Sequence, residues 1–95
     1  MHSWGDVDQY NEMIEELQTF ISRVNESCAD MVNGAKQCAE ELDDVPSLKA
    51  CKDLLKSVER YQEAIELARA LITDLEEERD YIIHILTLSE SEDAE

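Results

Sequence analysis

The chain has few residues that break helices and no visible targeting signal. Its 95 residues include one proline and two glycines, which argues against an all-β domain. No apolar run approaches the roughly 18 residues that a membrane-spanning helix needs. The N-terminus has no basic segment followed by an apolar one, so we expect no Sec-type signal peptide and a protein that is cytoplasmic when it is made. Three cysteines, an odd number, do not suit a framework of paired disulfides and are typical of a reducing compartment.

Basic side chains and catalytic motifs are also scarce. The chain has 8 Lys and Arg against 24 Asp and Glu, which gives a formal net charge of −16. Such a chain repels nucleic acid and anionic lipid, so we expect neither as a partner. Phosphate-binding Gly-rich loops and Ser–His–Asp arrangements are absent, and His84 is isolated from any Cys/His cluster with metal-ligand spacing. We therefore predict a protein that is not an enzyme, with no catalytic residue, cofactor or metal site.

The chain does contain two long helical seams. Apolar residues recur in alternating steps of three and four over residues 7–42 and again over 51–86, which is the spacing of coiled-coil positions. Between the seams lies Pro46, and proline is tolerated in the first turn of a helix but not in its interior. The pattern therefore predicts two helices joined by a turn.

We predict an all-α fold, an antiparallel two-helix hairpin of coiled-coil type. The first helix spans 6–43, the turn 43–47 and the second helix 47–88. Residues 1–5 form a lead. Residues 89–95 form an acidic tail that we expect to be disordered, because it has no large apolar side chain to dock.

The first helix carries two local signals. Its start fits a capping box of Asp6 with Gln9, or one of Ser3 with Asp6, so the boundary is open by about one turn. Asn33-Gly34 favours a turn, but the heptad passes through it unbroken, so we predict continuous helix. Gly34 then costs about 1 kcal/mol relative to Ala, and we interpret it as a point of close helix approach.

Folding the second helix back on the first brings together positions whose residue numbers add to 89. Cys38 then faces Cys51, and Tyr10 faces Arg79. Because a buried arginine needs a partner, we predict that Tyr10 and Arg79 form a polar pair that fixes the register, with a carboxylate from Asp6 or another chain. The predicted core of the hairpin is Val7, Ile14, Leu17, Ile21, Val24, Cys28, Met31, Cys38, Cys51, Leu54, Val58, Tyr61, Ile65, Ile72, Leu75 and Ile82.

Further apolar residues flank this core and have no partner within the hairpin. Exposed apolar strips usually mark a partner, and a lone hairpin buries little surface. We therefore predict that two hairpins pair into a four-helix bundle, as a homodimer or as a heterodimer with another helical hairpin. The alternative is a monomeric hairpin with an apolar rim. The predicted partner interface is Met13, Phe20, Val32, Leu55, Leu71 and Ile85.

Charge is distributed unevenly along the predicted hairpin. Acidic residues gather at its open end, which is either a solvated surface or a docking end for a basic partner. Basic residues at helical spacing lie near the turn, at Lys49, Lys52, Lys56 and Arg60.

The cysteines have two interpretations. In the first, which we favour, all three are small core residues at heptad positions. In the second, Cys38 and Cys51 form one disulfide beside the turn, which requires Cα atoms within roughly 7 Å of each other.

An acidic chain of this length with two long helices, a mid-chain turn and no Sec signal resembles the WXG (ESAT-like) family of bacterial type VII secretion, including the helical partners of LXG toxins. The resemblance covers Trp4 to about Leu86. It implies hairpins that pair into four-helix bundles and that are exported folded by a signal-peptide-independent route, or that escort a toxin's helical N-terminal region. The turn lacks the family's Trp-x-Gly, and neither Tyr61 nor Tyr81 is followed four positions later by an acid, the family's export signal. A partner then carries that signal, or the chain belongs to another family.

The functional prediction is thus a non-enzymatic helical binding protein, a type VII secretion substrate or the escort of a toxin. Two alternatives from other classes remain. One is a phage-encoded acidic inhibitor that imitates nucleic acid and blocks a defence enzyme, and its carboxylates should form rows rather than gather at one end. The other is an oligomeric coiled-coil scaffold subunit.

Overall fold

The computed structural model describes residues 2–40 and 45–93, and nearly all of them are helical. Helix α1 is Trp4–Glu40 and helix α2 is Val45–Asp93. Within these described ranges there is no strand. The prediction of an all-α helical hairpin is confirmed.

The chain packs as two compact units, each built from both helices. Unit 1 comprises Met1–Thr19 with Ala68–Glu95, and unit 2 is Phe20–Leu67. Unit 1 therefore joins the beginning of α1 to the end of α2, and unit 2 joins the end of α1 to the beginning of α2. The helices are antiparallel within each unit.

Helix α1 begins two residues before the predicted start. The backbone N–H of Ser3 donates to Asp6 Oδ2 at 2.8 Å, and the backbone N–H of Asp6 donates to the Ser3 carbonyl at 3.0 Å. Asp6 thus makes one of the two bonds of a Ser3–Asp6 capping box, from its carboxylate to the N–H of the residue before the helix, and the alternative that pairs Asp6 with Gln9 is wrong. Trp4 and Gly5, predicted to belong to the lead, form the first turn of the helix instead.

Helix α2 begins at Val45, two residues before its predicted start. Pro46 is therefore in the first turn, where its missing N–H has no helical partner to lose. The predicted end of α1 and the predicted turn fall largely on 41–44, which lie outside the described residues.

The end of α2 also differs from the prediction. Residues 89–93 continue the helix, so the expectation of disorder is wrong for them. Extending an existing helix adds one backbone hydrogen bond for each residue fixed, which costs far less than starting a new one. The segment also makes a tertiary contact, since Trp4 Nε1 donates to Glu90 Oε1 at 2.8 Å.

The two predicted seams form the core, and Ile82 is its only fully buried large side chain among the described residues. Ala35 and Ala68, which lie on the two predicted seams, are buried as well. The predicted core residues Leu17, Ile21, Val24, Met31, Cys38, Leu54 and Leu75 are partly exposed. The buried members of the predicted core are Val7, Ile14, Cys28, Cys51, Val58, Ile65, Ile72 and Ile82.

Two predictions about the packing are wrong. Tyr61 was placed in the core but is 41% exposed. In the predicted register Tyr61 faces Cys28. The Tyr61 hydroxyl is better hydrated at the surface than in the apolar core beside this cysteine. A Cβ built on Gly34 would meet nothing within 4 Å, so this glycine does not mark a close helix approach.

Candidate interaction surface

The six residues of the predicted partner interface are all accessible at the surface. In unit 1, Met13 is 40% exposed and Leu71 is 48% exposed. In unit 2, Phe20 is 43% exposed and Leu55 is 49% exposed. The remaining two, Val32 and Ile85, are partly exposed. Side chains this apolar would lose unfavourable contact with water if a partner covered them.

Sequence reasoning missed part of this surface. Tyr81 is 58% exposed and Leu88 is 53% exposed, and both belong to unit 1. Together with Ile85 they are spaced four and then three residues apart, so they lie in one line on α2. The available signal was this alternation of three and four, which repeats the pattern of the buried seam. Tyr81 and Ile85 each lie one position before a residue of the buried seam, so their line runs beside it along α2.

We call Leu71, Tyr81, Ile85 and Leu88 the outer seam of unit 1. Steps of three and four that continue from Leu71 arrive at Asp74, Glu78, Tyr81, Ile85 and Leu88. The outer seam is therefore a heptad pattern in which two consecutive positions are acidic. A helix with two such seams can pack against one helix within its own hairpin and against a second helix outside it.

Unit 2 has an apolar flank of its own. Leu48 and Leu55 are seven residues apart on α2, which places them on the same face, and they are 41% and 49% exposed. Leu67 is the most exposed large apolar residue among those described, at 73%. Such residues contribute nothing to the core of the unit to which they belong.

The charge differs sharply between the two units. Unit 1 contains 14 acidic and 2 basic residues, a net charge of −12, whereas unit 2 contains 10 acidic and 6 basic residues, a net charge of −4. Within the described part of the chain, Arg79 forms an ion pair with Asp80, and His2 Nδ1 lies 3.8 Å from Asp6 Oδ2, both in unit 1. Most of the carboxylates in unit 1 therefore repel one another, and a basic group brought among them would be attracted.

Arg79 occupies a position on the buried seam but keeps its side chain partly in water, with 24% of it exposed. Its Nη1 donates to Asn11 Oδ1 at 3.0 Å, and its Nε donates to Asp80 Oδ1 at 3.1 Å. Asn11, rather than the predicted Tyr10, is thus its hydrogen-bonded partner across the helices. The aliphatic stem covers the seam while the guanidinium reaches the surface, where hydrogen bonding costs less than in a dry core.

Cross-helix contacts test the predicted register. The residue numbers of Asn11 and Arg79 add to 90, and the thiols of Cys38 and Cys51, whose numbers add to 89, are neighbours. The Cys38–Cys51 contact thus fits the predicted register in unit 2. In unit 1 the Asn11–Arg79 contact is one position from it, and the Trp4–Glu90 hydrogen bond, whose residue numbers add to 94, is five positions from it.

All three cysteines are free thiols. Cys28 and Cys51 are buried, whereas Cys38 is partly exposed. The Cys51 thiol donates to the carbonyl of Ala35 at 3.7 Å. Burial, and next the adjacent Cys38 thiol, raise the pKa of Cys51. The neutral thiol is therefore favoured in the folded protein.

Across 2–40 and 45–93, no three His, Cys, Asp or Glu side chains come together as ligands for a metal ion. Neither described helix is both long enough and apolar enough to cross a bilayer. Comparison of the chain with models of protein families, with curated proteins and with solved structures found no match.

Proposed function

We propose that this protein is a non-enzymatic binding module that packs against another helical hairpin to form a four-helix bundle. The observation that carries the proposal is the outer seam of unit 1, an apolar heptad line on a helix whose other seam is already buried. Leu71, Tyr81 and Leu88 are 48%, 58% and 53% exposed. Covering such side chains gains about 25 cal/mol for each Å² of apolar area removed from water.

The acidic positions on the outer seam indicate the chemistry of the partner. Asp74 and Glu78 interrupt the line between Leu71 and Tyr81. A carboxylate covered by a helix needs an opposite charge or hydrogen-bond donors. The matching helix therefore carries an apolar seam with Lys or Arg opposite these two positions.

In the simplest case the partner is a second copy. Pairing of unit 1 with unit 2 of the second copy brings −12 beside −4, whereas pairing of unit 1 with unit 1 brings −12 beside −12. Electrostatic repulsion is smaller when unit 1 pairs with unit 2. Unit 2 also offers exposed basic residues to the acidic unit of the other copy, namely Lys49, Lys52, Lys56 and Arg60.

The test is the concentration dependence of thermal unfolding, followed by circular dichroism. A protein stabilised by pairing melts at a higher temperature when it is more concentrated, whereas a monomer does not. We expect this dependence in the natural protein and its loss in a Tyr81→Ser/Leu88→Ser double variant.

The matched control is the double variant Thr73→Ser/Thr87→Ser, which alters two exposed residues fourteen positions apart on another face of α2. It should keep the concentration dependence. A melting temperature that is equal at all concentrations in the natural protein, or equal losses in both double variants, would overturn pairing through the outer seam.

The resemblance to type VII secretion proteins supports a narrower form of the same proposal. In it the partner is the helical N-terminal region of an LXG toxin, and this protein escorts the toxin to the secretion machinery or is exported with it. Co-expression of the two chains should give a stable complex that the Tyr81→Ser/Leu88→Ser variant cannot form. Failure to co-purify would defeat the escort function and leave self-pairing to be judged by its own test.

The charge of unit 1 keeps the acidic inhibitor as a second candidate. A protein that imitates nucleic acid binds its target mainly through charge, so raising salt from 50 to 200 mM should weaken binding by orders of magnitude. Pairing through an apolar seam depends much less on salt. The gathering of charge in one unit supports a docking end more than it supports phosphate-like rows.

A further inference from the structure

The strongest unassigned feature is the pair of thiols in unit 2. Cys38 and Cys51 face each other across α1 and α2, and the Cys51 side chain also contacts the Ala35 carbonyl one turn away on α1. The Cys51 side chain is therefore located between two successive turns of the opposite helix. The two helices are therefore in direct contact at Cys51.

Small residues at this level allow the helices to approach closely. Ala35, Cys38 and Cys51 are all small, and the separation of packed helices decreases with the size of the side chains between them. A disulfide needs Cα atoms about 4.4–6.8 Å apart, which large side chains at facing positions prevent. Cys28, the third thiol, belongs to a different layer ten residues away along α1.

We infer that Cys38 and Cys51 form a reversible intramolecular disulfide, with a low-molecular-weight disulfide such as oxidised glutathione as the oxidant. The partly exposed Cys38 thiolate attacks one sulfur of the oxidant and releases one thiolate, which takes up a proton. Cys51 then loses its proton to solvent and attacks the Cys38 sulfur of the mixed disulfide, which releases the second thiol. In total, two protein thiols are oxidised to one disulfide, and one small disulfide is reduced to two thiols. The modification does not depend on the partner proposed above.

The test equilibrates the natural protein in glutathione buffers of increasing oxidation, alkylates the remaining thiols, and measures intact mass and linked peptides. We expect loss of two hydrogens, a Cys38–Cys51 link and one alkylated residue, Cys28. At a given ratio of oxidised to reduced glutathione, the ratio of disulfide-linked to unlinked protein should be at least about tenfold higher in the folded protein than in urea. The reason is that folding already holds the two thiols together. The disulfide should leave the helical signal unchanged and raise the melting temperature by about 10 °C.

Two variants make the result decisive. Cys28→Ala should link as the natural protein does, whereas Cys38→Ala should give only glutathione adducts or free thiols. Equal linkage in folded and unfolded protein would overturn the inference. So would links that involve Cys28, or a linked protein that melts at a lower temperature.

Discussion

Replacing Ile82 by Ala tests the packing of unit 1 at its most buried point. Ile82 is 0% exposed, and Val7, which faces it in the register, is 5% exposed. Truncation of a fully buried isoleucine costs 2–5 kcal/mol, from lost transfer free energy and from the cavity that remains. We expect about 3 kcal/mol, within this range. For a domain of this size that corresponds to a decrease in melting temperature of roughly 12–24 °C.

The assay is thermal and urea unfolding followed by circular dichroism at fixed protein concentration. His84→Ala is the control, since His84 is exposed two residues away on the same helix and its truncation should change the free energy of unfolding by less than about 0.5 kcal/mol. A loss below about 1 kcal/mol for Ile82→Ala, or a loss no larger than that of the control, would refute the packing described for unit 1.

Three further predictions concern single residues. Gly34→Ala should raise the free energy of unfolding by about 0.5–1 kcal/mol in a urea titration, because the site is helical and an added Cβ meets nothing within 4 Å; destabilisation would contradict the open surroundings of this glycine. Asp6→Ala should lower it by about 1 kcal/mol, since the carboxylate that accepts the Ser3 N–H is removed from the helix start, whereas unchanged stability would show that the cap contributes nothing. The pKa of Cys51 is raised from its ordinary value of 9.0, so the stability linked to its neutral thiol is present below pH 9 and is lost as pH rises toward the folded-state pKa. The melting temperature of the reduced protein should therefore fall above about pH 9. The melting temperature of the Cys51→Ala variant should fall less over the same pH range.

The seams and their register could be predicted because they depend on periodicity alone. A heptad pattern on each side of Pro46 leaves few ways for one helix to fold back on the other. The contact between Cys38 and Cys51 fits that register, and the contact between Asn11 and Arg79 is one position from it. The apolar periodicity and the single proline were therefore sufficient to predict the two-helix fold.

The helix ends and several side chains could not be predicted from the same pattern. Trp4 donates to Glu90, 86 positions later, and a contact of that range leaves no trace in local composition. Tyr61 and Arg79 occupy seam positions, yet both reach the surface because an amphipathic side chain can cover apolar surface with its stem and hydrate its polar end. Periodicity assigns a position to a face but does not fix how far a long side chain extends from it.

Two members of the outer seam, Tyr81 and Leu88, were missed for a different reason. Tyr81, Ile85 and Leu88 follow the same alternation of three- and four-residue steps as the buried seam, and this alternation is visible in the sequence. A helix with two apolar lines cannot bury both against one neighbour, so only the structure shows which line remains exposed.

The mass of the protein in solution tests the central claim, pairing through the outer seam, most directly. Sedimentation equilibrium over a concentration series should give a species of twice the 10.9 kDa chain mass, and the Tyr81→Ser/Leu88→Ser variant should remain at the mass of one chain. A stable species of 10.9 kDa at every concentration would contradict self-pairing. A dimer that the double variant preserves would contradict the assignment of the outer seam.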